Sequence, residues 1–156
     1  MSTETKEILA EVVGEVFEAM AFMFADPLNA DSTDEVELDQ PIEVHLEFVG
    51  AATGEVAIVV PEGMCQELAA NILGVEPDDE DAVAKALDSL KEILNVICGN
   101  ALTRVAGEEP VFNLNIPKTG ELTEETLADW LHDEDTVFLM VDDFTLLARF
   151  KCPDLC

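Results

Sequence analysis

The sequence predicts an α+β fold in which two long helices cover a mostly antiparallel sheet and two shorter helices are attached. Apolar residues recur with helical spacing over residues 4–25 and again over 80–106. The segment IEVHLEFV alternates strictly between apolar and polar residues, and the turn GAATG joins it to the apolar run EVAIVVP. This pattern is typical of a β-hairpin. With 156 residues, the chain is long enough for one domain with a full core over 1–156.

The first long helix is expected to bury one stripe and to end before Pro27, and residues 29–40 are polar enough to form a loop. In the strand that follows, His45 and its polar neighbours face outward. A short helix begins at Pro61 and ends at Gly74. The predicted inward residues of the first helix and the strand are Ile8, Leu9, Val12, Val16, Met20, Met23, Ile42, Val44, Leu46 and Phe48.

The C-terminal third predicts one strand, one short helix and a second hairpin. PVFNLNIP reads as a strand with Phe112, Leu114 and Ile116 on one face, closed by Pro117. Residues 121–133 predict a helix that buries Leu127 and Trp130 and leaves His132 exposed. In DTVFLMVDDFTLLARFK, a tight turn at Asp142–Asp143 separates two strands.

An internal repetition supports this layout. LAEVVGEV, from Leu9, aligns with LKEILNVI, from Leu90, and each helix is later followed by a hairpin. The alignment indicates two helix-plus-hairpin halves around a shared sheet. Glu11 then corresponds to Glu92, whereas Asn95 of the second half corresponds to Gly14 of the first.

The charge of the chain limits its partners. Seven Lys and Arg against thirty-five Asp and Glu give a formal net charge of −28, which disfavours nucleic acid and anionic membranes. Such a surface favours a partner with a basic patch, although the acids also serve solubility alone. No run of eighteen apolar residues is long enough to span a membrane. The N-terminus MSTETKEILAE lacks the basic segment of a signal peptide, so a cytoplasmic location is expected.

The four cysteines do not suggest a metal centre. No CxxC pair is present, and neither histidine lies near a cysteine in the sequence. Free thiols are expected for Cys65 and Cys98 in a reducing compartment. The state of Cys152 and Cys156, in the terminal CPDLC, stays open.

The stretch from Asp88 to Thr103 is the best candidate for a functional surface. Its apolar residues are predicted to share one side of a helix with Val83, and its polar residues to share the other. Glu92 and Asn95 are three residues apart, so their side chains leave the same face about one turn apart. Gly99 follows on that stripe and allows close approach to the backbone. The apolar side comprises Val83, Leu90, Leu94, Ile97 and Ala101. The polar side comprises Lys85, Asp88, Glu92, Asn95 and Gly99.

This stretch resembles the signature of the CheC/CheX/FliY chemotaxis phosphatases. That signature is Asp or Ser, three residues, Glu, two residues, Asn, and a Pro about twenty residues later. It matches Asp88, Glu92, Asn95 and Pro117 here. A single intact motif, in the second half of the chain, is more similar to CheX than to CheC, and the helix-plus-hairpin layout is also CheC-like.

The resemblance implies an activity. Family members hydrolyse the aspartyl phosphate of the response regulator CheY. By this resemblance, Glu92 would pair with a lysine of the regulator, and Asn95 would hold a water in line with the phosphoryl group. Magnesium would belong to the partner receiver domain, so the chain would need no metal or cofactor of its own.

The resemblance also implies roles for the surrounding residues and an assembly. Asp88, Val96 and Gly99 would contact the partner, and Pro117 would shape the neighbouring loop. The structural alternatives are that Asp88 caps or orients the helix surface, Val96 packs under a loop and Gly99 touches another helix. A homodimer is expected, as in CheX relatives. Two alternatives stay open: a non-catalytic binding module or flagellar-switch adaptor that recognises the phosphorylated regulator, and a signalling subunit whose solvated helix face has no chemical role.

Overall fold

The computed structural model describes residues 2–28 and 38–154. These parts contain four helices and an antiparallel sheet of seven strands, in the order β1-β6-β7-β3-β2-β4, with β5 beside β4 along the same edge of β2. The α+β prediction is confirmed. The elements in chain order are α1 (Thr3–Ala21), β1 (Ala25–Pro27), β2 (Pro41–Gly50), β3 (Gly54–Pro61), α2 (Glu62–Leu73), α3 (Glu80–Ala106), β4 (Phe112–Leu114), β5 (Lys118–Glu121), α4 (Glu124–His132), β6 (Val137–Val141) and β7 (Phe144–Lys151).

Helix α1 is shorter than predicted. Its N-terminus is capped by the Ser2 hydroxyl, which accepts a hydrogen bond from the Thr5 amide at 3.1 Å. It ends because Phe22 takes a left-handed conformation, with φ of 56°. Residues 25–27, which the periodicity placed in the helix or just after it, instead pair with β6 as a short edge strand. The loop predicted at 29–40 lies largely outside the described residues.

The sheet is covered on both faces, which explains why β3 is apolar on both sides. Alternate residues of β3, such as Ile58, belong to the main core beneath the helices. The intervening residues Ala57 and Val59 pack on the opposite face against Trp130 of α4, which is 2% exposed. The predicted burial of Trp130 and exposure of His132 are confirmed. Helix α4 therefore lies across the sheet from the other three helices.

The strand predicted over PVFNLNIP is mostly wrong. Only Phe112–Leu114 pair with β2, and Ile116, predicted to share a strand face with Phe112 and Leu114, lies outside the strand and is 82% exposed. Apart from the Asn115 amide, which donates to the Glu47 carbonyl at 2.8 Å, pairing ends at Leu114, and the buried Pro117 has no N–H with which to continue it. Pairing resumes one residue later, where β5 pairs with the first half of β2.

Helices α1 and α3 lie side by side on the main face of the sheet. Helix α1 packs over β1, β6 and β7, and α3 packs over β2, β3 and β5. Arg104 near the end of α3 contacts Glu11 of α1 at 3.4 Å and also pairs with Glu15. Helix α2 packs mainly along α3. Within residues 2–28 and 38–154, no helix is long and apolar enough to cross a membrane.

Two thiols beneath this helical layer are predicted to be unreactive. Burial raises the pKa of Cys65 and of Cys98 from 9.0 to about 12. At pH 8 we expect iodoacetamide to leave both thiols unmodified in the folded protein and to modify both in urea, as read by peptide mass spectrometry. Because the unfolded thiols ionise near pH 9 and the folded ones do not, the free energy of unfolding should also fall as pH rises from about 9 towards 12. Rapid labelling of either thiol in the folded state would contradict this.

Candidate functional site

Helix α3 carries the predicted signature, and it runs over the residues that the periodicity indicated. The Asp79 carboxylate accepts a hydrogen bond from the Asp81 amide at 2.9 Å and caps the helix. The face towards the sheet is closed, since Leu90, Leu94 and Ile97 are each 0% exposed. The opposite face points away from the sheet and carries the polar stripe.

The two central residues of the stripe are accessible. The Glu92 side chain is exposed and that of Asn95 is partly buried. Neither makes a side-chain hydrogen bond or ion pair with any part of the chain that the structure describes, and the same holds for the exposed Asp88. The carboxylate and the carboxamide are therefore free to take partners from another molecule.

Gly99 and Val96 flank the pair differently. Nothing in the described chain lies within 4 Å of the position that a Cβ on Gly99 would occupy. Packing against another helix, the alternative reason for a glycine here, therefore does not account for it. Val96 is partly buried and packs against the main core, so only part of its side chain is available to a partner.

Pro117 lies between two strands and not on α3. It is buried between β4 and β5, and β5 in turn packs against α3. This placement suits the structural role expected of it, because Pro117 immediately precedes β5 and has no N–H to donate to the ladder.

The helical pattern predicted one residue of α3 wrongly. Val83 was expected on the buried side, but it is 51% exposed, and Leu87 on the next turn is 42% exposed. Both line an open groove of about 800 Å³ between the N-terminal part of α3, the start of β2, and β5. Periodicity defines which side of a helix is apolar, but it does not report how far the surface beneath that side extends.

The two halves of the repeat differ in two ways: whether the aligned glutamate forms an ion pair, and whether a side-chain carboxamide is present. Glu11, which aligns with Glu92, is tied to Arg104 at 3.4 Å. Gly14 stands where the second half has Asn95. The first helix thus offers neither a carboxamide nor an unpaired carboxylate at these positions, and only α3 presents both.

A chemotaxis phosphatase family model, CheX, matches residues 42–140, more than half of the chain. The chain belongs to the CheX family of chemotaxis phosphatases. The matched segment includes all four signature residues. No curated protein matches the sequence.

Solved structures share the fold of this CheX-family protein. A proposed chemotaxis protein from Desulfovibrio vulgaris Hildenborough superposes with a TM-score of 0.68 at 15% identity, covering 97% of each chain. CheX from Vibrio vulnificus gives 0.66 at 18% identity, covering 96% of this chain and 97% of the other. A chain of the CheX–CheY–BeF₃–Mg²⁺ complex from Borrelia burgdorferi gives 0.63 at 15% identity, covering 94% and 96%. At these identities the superpositions establish the fold.

Proposed function

We propose that this protein is a phosphatase that hydrolyses the aspartyl phosphate of a CheY-type response regulator. The observation that carries the proposal is the accessible, unpartnered Glu92–Asn95 pair on α3 of a CheX-family chain. A CheX–CheY complex among the structural relatives supports the choice of partner.

Asn95 is assigned the positioning of the attacking water. In phosphoryl transfer an enzyme mainly orients the reactants and stabilises charge. A carboxamide donates and accepts hydrogen bonds at once, so it holds a water in one orientation. It is also uncharged and adds no repulsion beside the phosphoryl group. The free carboxamide of Asn95 meets these requirements, and orientation of this kind lowers a barrier by several kcal/mol.

Glu92 is assigned an ion pair with a lysine of the regulator. Its carboxylate is exposed and forms no ion pair with a cation of its own chain among the described residues. On binding, the pair would move to a less hydrated interface, where a charge-assisted hydrogen bond is stronger than in water. The interaction would hold the regulator in register with Asn95, one turn away.

The rest of the stripe is assigned to the same interface. Asp88 and Gly99 extend it by about one turn in each direction, and the exposed part of Val96 adds an apolar contact. Open space at Gly99 lets a partner loop approach the helix backbone. Pro117 stays outside the contact and supports the strand arrangement beneath it.

The remaining parts of the proposal concern assembly and cofactors. Residues 1–156 would act as one domain in the cytoplasm and form a homodimer. The phosphoryl acceptor and the magnesium ion would both belong to the receiver domain. Groups of three or more His, Cys, Asp or Glu able to hold a metal do not occur in residues 2–28 and 38–154.

The test is direct. A CheY-type receiver domain is phosphorylated with a small phosphodonor, and phosphate loss is followed with and without this protein. Acceleration that saturates with protein concentration supports the proposal. Binding of the phosphorylated receiver without acceleration would establish the non-catalytic adaptor instead. No binding and no acceleration would leave the helix face without either role.

Charge reversal at Glu92 tests the ion pair. Glu92→Lys should raise the Kd for a beryllofluoride-activated receiver domain, in which BeF₃⁻ stands in for the phosphoryl group, by about tenfold or more. Titration calorimetry measures the change. Glu47→Lys is a matched control, because Glu47 is exposed on β2 and faces away from the helical layer. If the two variants bind the activated receiver with equal affinity, Glu92 does not contact the receiver.

A further inference from the structure

An open groove lies beside the N-terminal half of α3. It has a volume of about 800 Å³ and is bordered by α2, α3, β5 and the start of β2. Its apolar lining includes Val83 and Leu87 from α3 and Ile42 and Leu122 from the sheet side. Val83 and Leu87 are 51% and 42% exposed, so the groove presents apolar surface that no described part of the chain covers.

The charges of the groove are all of one sign. Glu62 at the start of α2 and Glu121 in β5 line it, and both are exposed. In β5, Glu121 pairs with Ile42, whose side chain packs towards the main core, so the Glu121 side chain also points to the helical side of the sheet. Among the residues that the structure describes, no Lys or Arg lines the groove. An apolar floor with acidic walls is complementary to an apolar side chain flanked by cations.

The groove and the proposed interface share helix α3. Leu87 precedes Asn95 by eight residues, which places it about 12 Å away along the axis and about 80° around it. An interface of standard size, about 800 Å² on each partner, is roughly 30 Å across. A partner whose contact surface is centred on Asn95 therefore reaches the groove if one of its segments passes along the N-terminal half of α3.

We propose that this groove docks a segment of the receiver domain in which an apolar side chain is flanked by Lys or Arg. This inference rests on the proposed function and adds a second contact with the receiver domain. That contact contributes to the affinity for the receiver and not to the hydrolysis step. The catalytic pair would recognise the phosphorylated site of the receiver, and the groove would recognise a separate part of its surface.

A second copy of this chain fits the groove less well. Each copy carries a formal net charge of −28, with seven Lys and Arg in all. Three of these, Arg104, Arg149 and Lys151, already pair with carboxylates of their own chain. A second copy would therefore bring mostly acidic surface against Glu62 and Glu121, which costs free energy.

Apolar substitution tests the groove. Leu87→Ser should raise the Kd for the beryllofluoride-activated receiver and the KM for the phosphorylated receiver about tenfold, with kcat unchanged at saturation. Leu73→Ser is the matched control, because Leu73 on α2 is exposed to nearly the same extent, 44%, and does not line the groove. Equal melting temperatures of the two variants would exclude a folding effect.

Charge substitution is an independent second test. Glu121→Lys should weaken receiver binding, whereas Glu108→Lys, the same charge change on an exposed loop residue away from the groove, should not. Because both variants change the net charge equally, the difference between them reports local contact and not long-range attraction.

The outcomes separate this inference from the proposed function. If the wild type dephosphorylates the receiver and Leu87→Ser and Glu121→Lys bind as tightly as their controls, the groove inference is wrong and the phosphatase stands. If the groove variants change only the molar mass in light scattering, the occupant is a second copy and the inference is wrong. If the wild type neither binds nor dephosphorylates any CheY-type receiver, both proposals fail.

Discussion

Asn95→Ala is expected to lower the rate constant for receiver dephosphorylation at saturation by about 100-fold or more. The physical reason is that the substitution removes the one group assigned to orient the attacking water, while the magnesium and the phosphoryl acceptor remain on the partner. The Asn95 side chain has no hydrogen bond to the described parts of its own chain, so the fold should be unaffected. Affinity for the beryllofluoride-activated receiver should change little, because binding relies on the surrounding contacts.

Two further variants sharpen the result. Asn95→Asp keeps the size of the side chain but places a negative charge beside the phosphoryl group, so it should be as slow as Asn95→Ala and also bind more weakly. Asn100→Ala changes an exposed asparagine of the same helix that lies off the polar stripe, and it should retain the wild-type rate. Wild-type turnover by Asn95→Ala would refute the assignment of water positioning to this residue.

Gly54→Ala is expected to cause a large loss of stability. A Cβ on Gly54 would collide with the backbone carbonyl oxygen of Lys151 and would lie 2.6 Å from the Phe48 ring and 2.9 Å from the Cys152 Cβ. Neither the β7 backbone nor the buried Phe48 can move without disturbing the core. We expect the free energy of unfolding to fall by about 3 kcal/mol.

The measurement is urea unfolding followed by Trp130 fluorescence, since Trp130 is buried on the far face of the same sheet. Gly120→Ala provides the control: Gly120 is also a strand residue, but nothing lies within 4 Å of its Cβ position. Its unfolding midpoint should shift little. A Gly54→Ala protein as stable as the Gly120→Ala protein would show that β7 accommodates the methyl group.

The sequence was sufficient where local patterns act alone. Helix α3 was predicted over 80–106 because acids suit its start, an apolar stripe follows and Pro110 ends any continuation, and the structure confirms these bounds. Strand β2 was predicted from strict alternation, and α2 from Pro61 and Gly74. The candidate site followed from the same helix, since residues three and four apart share a face in any α-helix.

The sequence was insufficient where distant segments compete for one surface. The three residues of β1 resemble the end of a helix, and they become a strand because the edge of β6 is available to pair with them. Ile116 continues the alternation of Phe112 and Leu114, but the pairing with β2 ends at Leu114 and Ile116 is left exposed. Pairing energy of this kind depends on a neighbour far away in the chain, which a local pattern does not report.

By itself, the sequence determined that one helix presents a carboxylate and a carboxamide on a polar face, because helical geometry depends only on neighbouring residues. Only the tertiary structure decided that this pair forms no side-chain hydrogen bond or ion pair with the described chain, whereas Glu11, the counterpart of Glu92 in the first helix, forms an ion pair with Arg104. The tertiary structure also decided that Val83 and Leu87 open into a groove, because the surface beneath the start of α3 is set by where β2 and β5 lie.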